Sequence, residues 1–489
     1  MKITRYEQVA EKILGLIENG VLREDDKIPS MRQLAAELGV SVNTVKEAYW
    51  TLEKNNHIEA VPQSGFYVKK RAREHEPSPL DPSRMDPQQV GLCQIYGAFQ
   101  YSGKYSPELN LGISNLHPDF WPVEKLGKCM KEALRCHDLD SFSYIMSPGH
   151  PELRQQIARL GLSGGMNLNP EGIIITNGCH EAIFLTLMTV CKPGDTVVYE
   201  SPIYFSSLQL LQRLNLKLIE IPSSVKEGMS LDTLQFVLDN HPVKAVFTIP
   251  NFNNPLGFVM PDEKKKEMVK LLEKYKVTLI EDDIYGDLYY EARPSTCKSY
   301  DTTGNVILCS SITKTVAPGL RIGWVVPGDH YYDEITRLKT LLNISTAGIN
   351  QIAAAGFLKE GGYDRHMRNL RLSLKSQVIE VRHCILENFP KGTTVTEPAG
   401  GSLLWVTLPE GIDALEIYHE ALKKNILIAP GCLFSIRQRY TNCMRINAGH
   451  WNEKIKKAIL YLGKLCRENR PGINAPAADD PYSKAAAAG

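Results

Sequence analysis

Apolar positions fall into three rhythms along the 489-residue chain. In the first stretch, Val9, Ile13, Leu16 and Ile17 recur at helical spacing. A second helical stripe of Val45, Ala48, Tyr49 and Leu52 runs through SVNTVKEAYWTLEKNNH. Between them, PSMRQLAAELGV predicts a helix that opens on Ser30, with Gln33 completing a capping box, and stops at Gly39. Ser41 then caps the next helix, and so tight a Gly-containing turn between two helices predicts a helix-turn-helix. HIEAVPQSGFYVKK follows as two short strands around residues 62–65, a wing. Residues 73–106 carry Pro77, Pro79, Pro82 and Pro87 with few aliphatics and no clear period, and read as a linker after a first domain at 1–72. Residues 107–468 alternate strand-like apolar runs with helical patterns, which predicts a parallel α/β sheet. Residues 469–489, ending PAADDPYSKAAAAG, are low in complexity and are expected to be a disordered tail.

Within the large segment, the apolar runs at 196–199, 245–249, 277–280 and 306–309 each stop at a polar cluster. Runs this apolar suit strands covered on both faces. In open α/β sheets, ligands sit beyond the carboxyl ends of the strands. The residues just past these runs are Tyr204, Asn254, Asp282 with Tyr285, and Lys314. They are the parts that pyridoxal 5′-phosphate (PLP) needs. An amine condenses with its aldehyde, a carboxylate faces the pyridine nitrogen, donors hold the ring oxygen and a flat aromatic stacks on the ring. The phosphate asks in addition for a helix start and an arginine.

Seven motifs, in order, resemble those of fold-type I aminotransferases. SYIMSPGHPELRQQIA is similar to the family's Y-x-x-x-x-G-x-x-x-L-R segment, which implies that Tyr144 reaches the phosphate held in the other subunit of a dimer. TNGCHEAI resembles the phosphate cup, implying N–H groups from Gly178, Cys179 and His180, although the family more often has Gln or Thr near position 180. ESPIYF would supply Tyr204 as the stacking ring, and NFNNPLG would supply Asn254 to the ring oxygen. EDDIY places Asp282 at the pyridine nitrogen and Tyr285 at the ring oxygen. SSITKTVAPGLRIGW makes Lys314 the Schiff-base lysine, with Ser311, Thr313 and Arg321 on the phosphate. MRINAG implies that Arg445 clamps a ligand α-carboxylate. A smaller α+β subdomain is expected at the C-terminal side.

KIPSMRQLAAELGVSVNTVKEAYWTLE is similar to the GntR-type winged-helix signature nearly throughout. By that resemblance Arg32 and Lys46 contact phosphates or base edges, Asn43 and Thr44 face the major groove, and Ser64 and Gly65 bring the wing tip close to the DNA backbone or minor groove. Val42 stands where the family often has Arg, which favours contact with a thymine methyl over a guanine. A winged helix, a linker and an aminotransferase-like domain in that order resemble the MocR family of bacterial transcription regulators. The resemblance implies a head-to-tail homodimer that binds a DNA operator. It would sense an amine, an amino acid or PLP itself by imine exchange at Lys314. A working aminotransferase of an α-amino acid with a DNA-binding head is the other reading of the same residues. Whether the chain turns over a substrate stays open at this point, with at most a residual aminotransferase half-reaction expected of a regulator.

Charge and composition add bounds. Net charge is +1, so DNA binding must rest on a local patch. Residues 1–72 hold 11 Lys/Arg against 10 Asp/Glu, with Lys69, Lys70, Arg71 and Arg73 clustered past the wing and Glu24, Asp25 and Asp26 ahead of the helix-turn-helix. Modest affinity per domain, strengthened by dimerisation, is expected. The 11 cysteines are odd in number and lack C-x-x-C pairs, which points to reduced thiols and no metal site. No secretory h-region or membrane-length apolar run is visible, so the expected location is the cytoplasm.

Overall fold

A computed structural model describes residues 4–19, 21–23, 26–54, 57–61, 64–69, 86–89, 109–136, 138–359, 361–437 and 439–469. Most of the expected linker, the C-terminal tail, and Glu24, Asp25, Pro62, Lys70, Arg71 and Arg73 lie outside the described residues. The chain divides into two compact units, Met1–Arg73 and Glu74–Gly489.

In the first unit, helices α1 (Arg5–Glu18), α2 (Met31–Leu38) and α3 (Val42–Lys54) are followed by the antiparallel pair β1 (Ile58–Val61) and β2 (Gly65–Val68). Val9, Ala10, Ile13, Ile28, Leu34, Val45, Ala48, Tyr49, Leu52, Ile58 and Val68 form its buried core. Leu16, placed by periodicity on the inner face of α1, is 36% exposed instead, and Ala10 takes the inner position. Gly39 ends α2 in the left-handed conformation at φ 61°, and Thr44 N donates to the Ser41 side chain at the start of α3. At Ser30 only half of the expected capping box forms. Gln33 N donates to Ser30 Oγ at 3.3 Å, but the Gln33 amide donates to Glu37 one turn on, a charged acceptor. The returning side-chain bond is found at α1, where Thr4 N donates to Glu7 Oε2 at 2.7 Å. Tyr49 Oη donates to Pro29 O at 2.5 Å and ties α3 to the turn ahead of α2.

The large unit is built on one sheet. Its strands are β3 (Ile174–Thr176), β4 (Thr196–Ser201), β5 (Lys217–Ser224), β6 (Val243–Thr248), β7 (Thr278–Asp282), β8 (Val306–Ser311) and β9 (Gly323–Val326), in the order β5-β4-β6-β7-β8-β9-β3. Strands β5, β4, β6, β7 and β8 run parallel. The all-parallel expectation fails at β9, which is antiparallel to both β8 and β3. Periodicity reports burial and not direction, so GWVV reads alike either way. Every residue of β4, β7 and β8 is buried, as two helical layers require. Gln88–Gln89, inside the expected linker, pairs antiparallel with the β5 edge.

A second, antiparallel sheet contains β10 (Leu403–Thr407) paired with β11 (Cys443–Asn447). It packs with helix α4 (Glu453–Glu468) in a core continuous with one face of the large sheet. Leu109–Asn110 pairs in parallel with Ile426–Leu427. Among the described residues, no helix is long and apolar enough to cross a membrane.

Candidate functional site

Strand β7 ends on Asp282 itself, 4% exposed. Its Oδ1 accepts from Ile284 N at 3.1 Å and from the Cys179 thiol at 3.3 Å. Burial pushes this carboxyl up to about 7. Lys314 follows β8 by three residues, and its Nζ donates to Ser114 O at 2.6 Å and to Asn115 Oδ1 at 3.2 Å. Burial, with the Arg445 guanidinium adding to it, lowers the ammonium to about 8. Roughly a tenth of it is then neutral amine at pH 7, the form that can attack a carbonyl.

The remaining polar groups interlock. Asn254 Nδ2 donates to Tyr285 Oη at 3.1 Å, and Tyr285 Oη donates to Ser114 Oγ at 3.2 Å. Burial raises the Tyr285 phenol, so it stays a donor. Arg445, on β11, donates from Nη1 to Asn254 Oδ1 at 2.7 Å and from Nη2 to Gly112 O. The strand ends of the large sheet and the second sheet therefore converge on Asn254, Tyr285, Lys314 and Arg445. Tyr204 is half-buried at the start of helix Phe205–Arg213, packed against both cores.

Arg445 is fully buried, and its Nε has no hydrogen-bond partner. Among the described residues no carboxylate pairs with it; the Phe434 and Phe205 rings lie 5.1 and 5.5 Å from its Cζ. Burial lowers its pKa, the mark of a desolvated cation.

Donors gather where helix Cys179–Val190 begins. Gly178 is its N-cap at φ 86°, and a Cβ there would stand 2.6 Å from Arg321 Nη2. A Cβ on Gly323 would meet the Gly178 carbonyl carbon at 2.4 Å, so both glycines are needed for the close approach. Arg321 donates to Asn177 O at 2.8 Å, and Thr313 N donates to Ser311 Oγ at 3.2 Å. His180 is exposed at the helix start, and partial desolvation of its ring, with the Arg321 charge near it, lowers the imidazole pKa. Helix N–H groups, two hydroxyls and a guanidinium make a donor set that suits a phosphate. With Lys314, Asp282 and Arg445 alongside, the residues present fit PLP.

Four residues of this site escaped the motif reading: Gly112, Ser114, Asn115 and Asn447. Asn447 Nδ2 donates to Ile113 O and Asn115 O at 2.8 and 2.9 Å, which fixes the 112–115 segment across Lys314 and Arg445. The first three were signalled only by a polar Ser-Asn pair after the apolar LNLGI, whereas Asn447 stands inside MRINAG, two residues past Arg445. Tyr144 is 71% exposed and does not join the cluster within its own chain. It lies among exposed Leu139, Phe142 and Met146, and Met146 bridges to Ser345 beside exposed Leu341, Leu342 and Ile344.

On the winged helix, Arg32, Val42, Asn43 and Lys46 are exposed. Thr44 is half-buried with its hydroxyl 2.8 Å from Ser41 Oγ, so it serves the helix cap rather than standing free. Ser64 Oγ lies 2.6 Å from Tyr67 Oη, and Gly65 takes φ 119° at the wing tip. Trp50, 61% exposed, shares the outer face of α3 with Asn43 and Lys46, which the sequence reading passed over.

Fold and site thus define a winged-helix transcription regulator with an aminotransferase-like unit. Residues 5–68 match the bacterial regulatory proteins of the gntR family, and residues 106–462 match aminotransferase class I and II. The chain belongs to the MocR-type regulators of the GntR family. It is 38% identical to the HTH-type transcriptional regulator YjiR of Escherichia coli K12 over 94% of this chain and 98% of that one. Identity with YdcR of the same organism is 36% over 95% and 99%. Among solved structures, Pyrococcus horikoshii kynurenine aminotransferase, in complex with PMP, superposes with a TM-score of 0.72 at 28% identity, covering 78% of this chain and 95% of that one. A winged helix of this family implies operator DNA as partner and a homodimer as the assembly.

Proposed function

We propose that the large unit holds PLP on Lys314 and reads there an amino acid, another amine or PLP itself, and that this sets how the winged helices engage an operator. Arg445 carries the reading. A buried guanidinium without a counter-charge is costly, and a ligand carboxylate would satisfy it. PLP, when bound, supplies a carbonyl that condenses reversibly with amines and a ring that withdraws electrons. Asp282 would face the ring nitrogen, Asn254 and Tyr285 the ring oxygen, and Tyr204 the ring face. Gly178, Cys179, His180, Ser311, Thr313 and Arg321 would take the phosphate, with Tyr144 of the partner subunit added across the dimer. The PMP in the similar Pyrococcus enzyme supports the same cofactor class.

A ligand carboxylate at Arg445 would compete with Gly112 O for the same guanidinium. In sequence the 112–115 segment follows the linker, and its release is the route by which occupancy would reach the DNA-binding unit. An effector acts this way only through different affinities for the two arrangements. The same residues would also serve a transaminating enzyme, and steady turnover of an amino acid with a keto acid would favour that second reading.

The test is a PLP titration of the purified chain followed by absorbance. Lys314→Ala should lose the long-wavelength band, and its persistence would sink the cofactor assignment. In a panel of amines and amino acids, Arg445→Ala should weaken carboxylate-bearing ligands by about 10- to 100-fold and leave simple amines unaffected. Binding of no DNA fragment above background would overturn the regulatory mechanism.

A further inference from the structure

Two histidines and an aspartate outside the cofactor site stand close together. His117 and Asp119 lie just beyond the 112–115 segment, and His450 lies five residues past Arg445. The imidazoles of His117 and His450 are stacked, with ring centroids 3.6 Å apart and planes at 2°. Asp119 Oδ2 is 3.3 Å from His117 Nδ1. One ligand atom from each of the three lies within 4.8 Å of the others. His450 Nδ1 is buried and has no hydrogen-bond partner, while Nε2 of the same ring is 2.9 Å from Asn452 Nδ2.

We propose that His117, Asp119 and His450 form a binding site for a divalent late-transition ion, zinc being the natural occupant. Two imidazoles and one carboxylate make an N2O donor set that suits Zn2+, Co2+ or Ni2+ and does not suit Mg2+ or Ca2+, which prefer oxygen throughout. Ligand distances of about 2.0–2.1 Å at tetrahedral angles put donor atoms roughly 3.4 Å apart. The ligand atoms now lie within 4.8 Å of one another, but stacked rings hold their nitrogen lone pairs parallel, and His117 Nδ1 accepts from Asp119 N at 3.3 Å, a bond an ion would replace. Each ring must turn about its Cβ–Cγ bond so that its nitrogen faces the ion, and the exposure of Asp119 and the half-exposure of His117 leave room for this. Three protein ligands leave the fourth position to water or to a ligand atom. The expectation of no metal site, drawn from cysteine spacing, did not address histidines more than 330 residues apart in sequence. An ion here would tie the end of the 112–117 segment to the loop after β11, at the rim of the cofactor site.

The site is tested by titrating the full-length chain with Zn2+ by calorimetry and with Co2+ by optical spectroscopy. The expected result is one ion per chain at this site, with cobalt d–d bands and no thiolate charge-transfer band. His117→Ala and His450→Ala should each weaken binding at least 10-fold, while His419→Ala, an exposed histidine on another helix, should leave it unchanged. Asp119→Asn alters only an exposed side chain, so it decides the matter if either alanine variant misfolds; it should weaken binding about 10-fold. Equal affinity in the wild type and these variants, a thiolate band on the bound cobalt, or no stoichiometric binding at micromolar zinc would each overturn the proposal.

Discussion

Asp282 shows how one buried group sets a pH dependence. Its folded pKa is raised to about 7 by burial. A carboxyl raised in this way favours the fold while protonated, below the ordinary carboxylate range, and loses that contribution as pH rises through about 7. Asp282→Asn keeps the shape and removes the titration. In protein stripped of any bound aldehyde, the variant should gain stability over the wild type between pH 5 and 8, on the order of a few kcal/mol at about 1.4 per pKa unit. Urea unfolding at several pH values measures this, and a difference flat with pH would assign the titration to another acid. Glu200 and Glu281, also buried and raised to about 8 and about 7, are the alternatives. Lys314 and Asp282 were legible in sequence because their chemistry follows directly on apolar runs. That no carboxylate among the described residues pairs with Arg445, and that Asn447 grips the 112–115 segment, could not be read from local spacing.

At the scale of elements, α3 was readable almost to the residue. Its stripe of Val45, Ala48, Tyr49 and Leu52 is buried, which leaves Asn43, Lys46 and Trp50 facing outward. A base-reading residue and a phosphate-contacting one differ in how their loss is felt. Asn43→Ala should cost about 1–3 kcal/mol on the preferred operator and little elsewhere, relaxing the choice of base. Lys46→Ala should weaken all sequences alike and reduce the log–log salt slope by about one. Binding isotherms on specific and scrambled DNA at several salt concentrations separate the two; equal loss from Asn43→Ala on both DNAs would remove it from base contact. Two element-level expectations failed for identifiable reasons. Gln33 finds a charged acceptor in Glu37, and strand direction at β9 is set by connections that no period reveals.

At the scale of the large unit, most exposed apolar residues stand singly, but one group does not. Leu139, Phe142, Tyr144 and Met146 adjoin Leu341, Leu342 and Ile344 through the Met146–Ser345 bridge. Apolar groups gathered this way are where the proposed dimer would find its interface. Phe142, 83% exposed, makes no core contact to lose. Phe142→Asp should therefore leave the thermal midpoint of the isolated chain nearly unchanged while shifting sedimentation toward monomer. It should also lower PLP affinity, by taking away the partner's Tyr144. A dimer that survives the substitution at micromolar concentration would put the interface elsewhere.

The sequence by itself determined the two kinds of unit, the identity of the amine and carboxylate at the strand ends, and the outward face of the recognition helix. Each depends on short-range spacing, and periods of 3.6 and 2 residues fix which way neighbouring side chains point. Only the tertiary structure decided that Gly112 and Ser114 engage Arg445 and Lys314, and that His117 stacks on His450. Residues separated by hundreds of positions meet only after two sheets have packed, and spacing along the chain carries no record of that meeting.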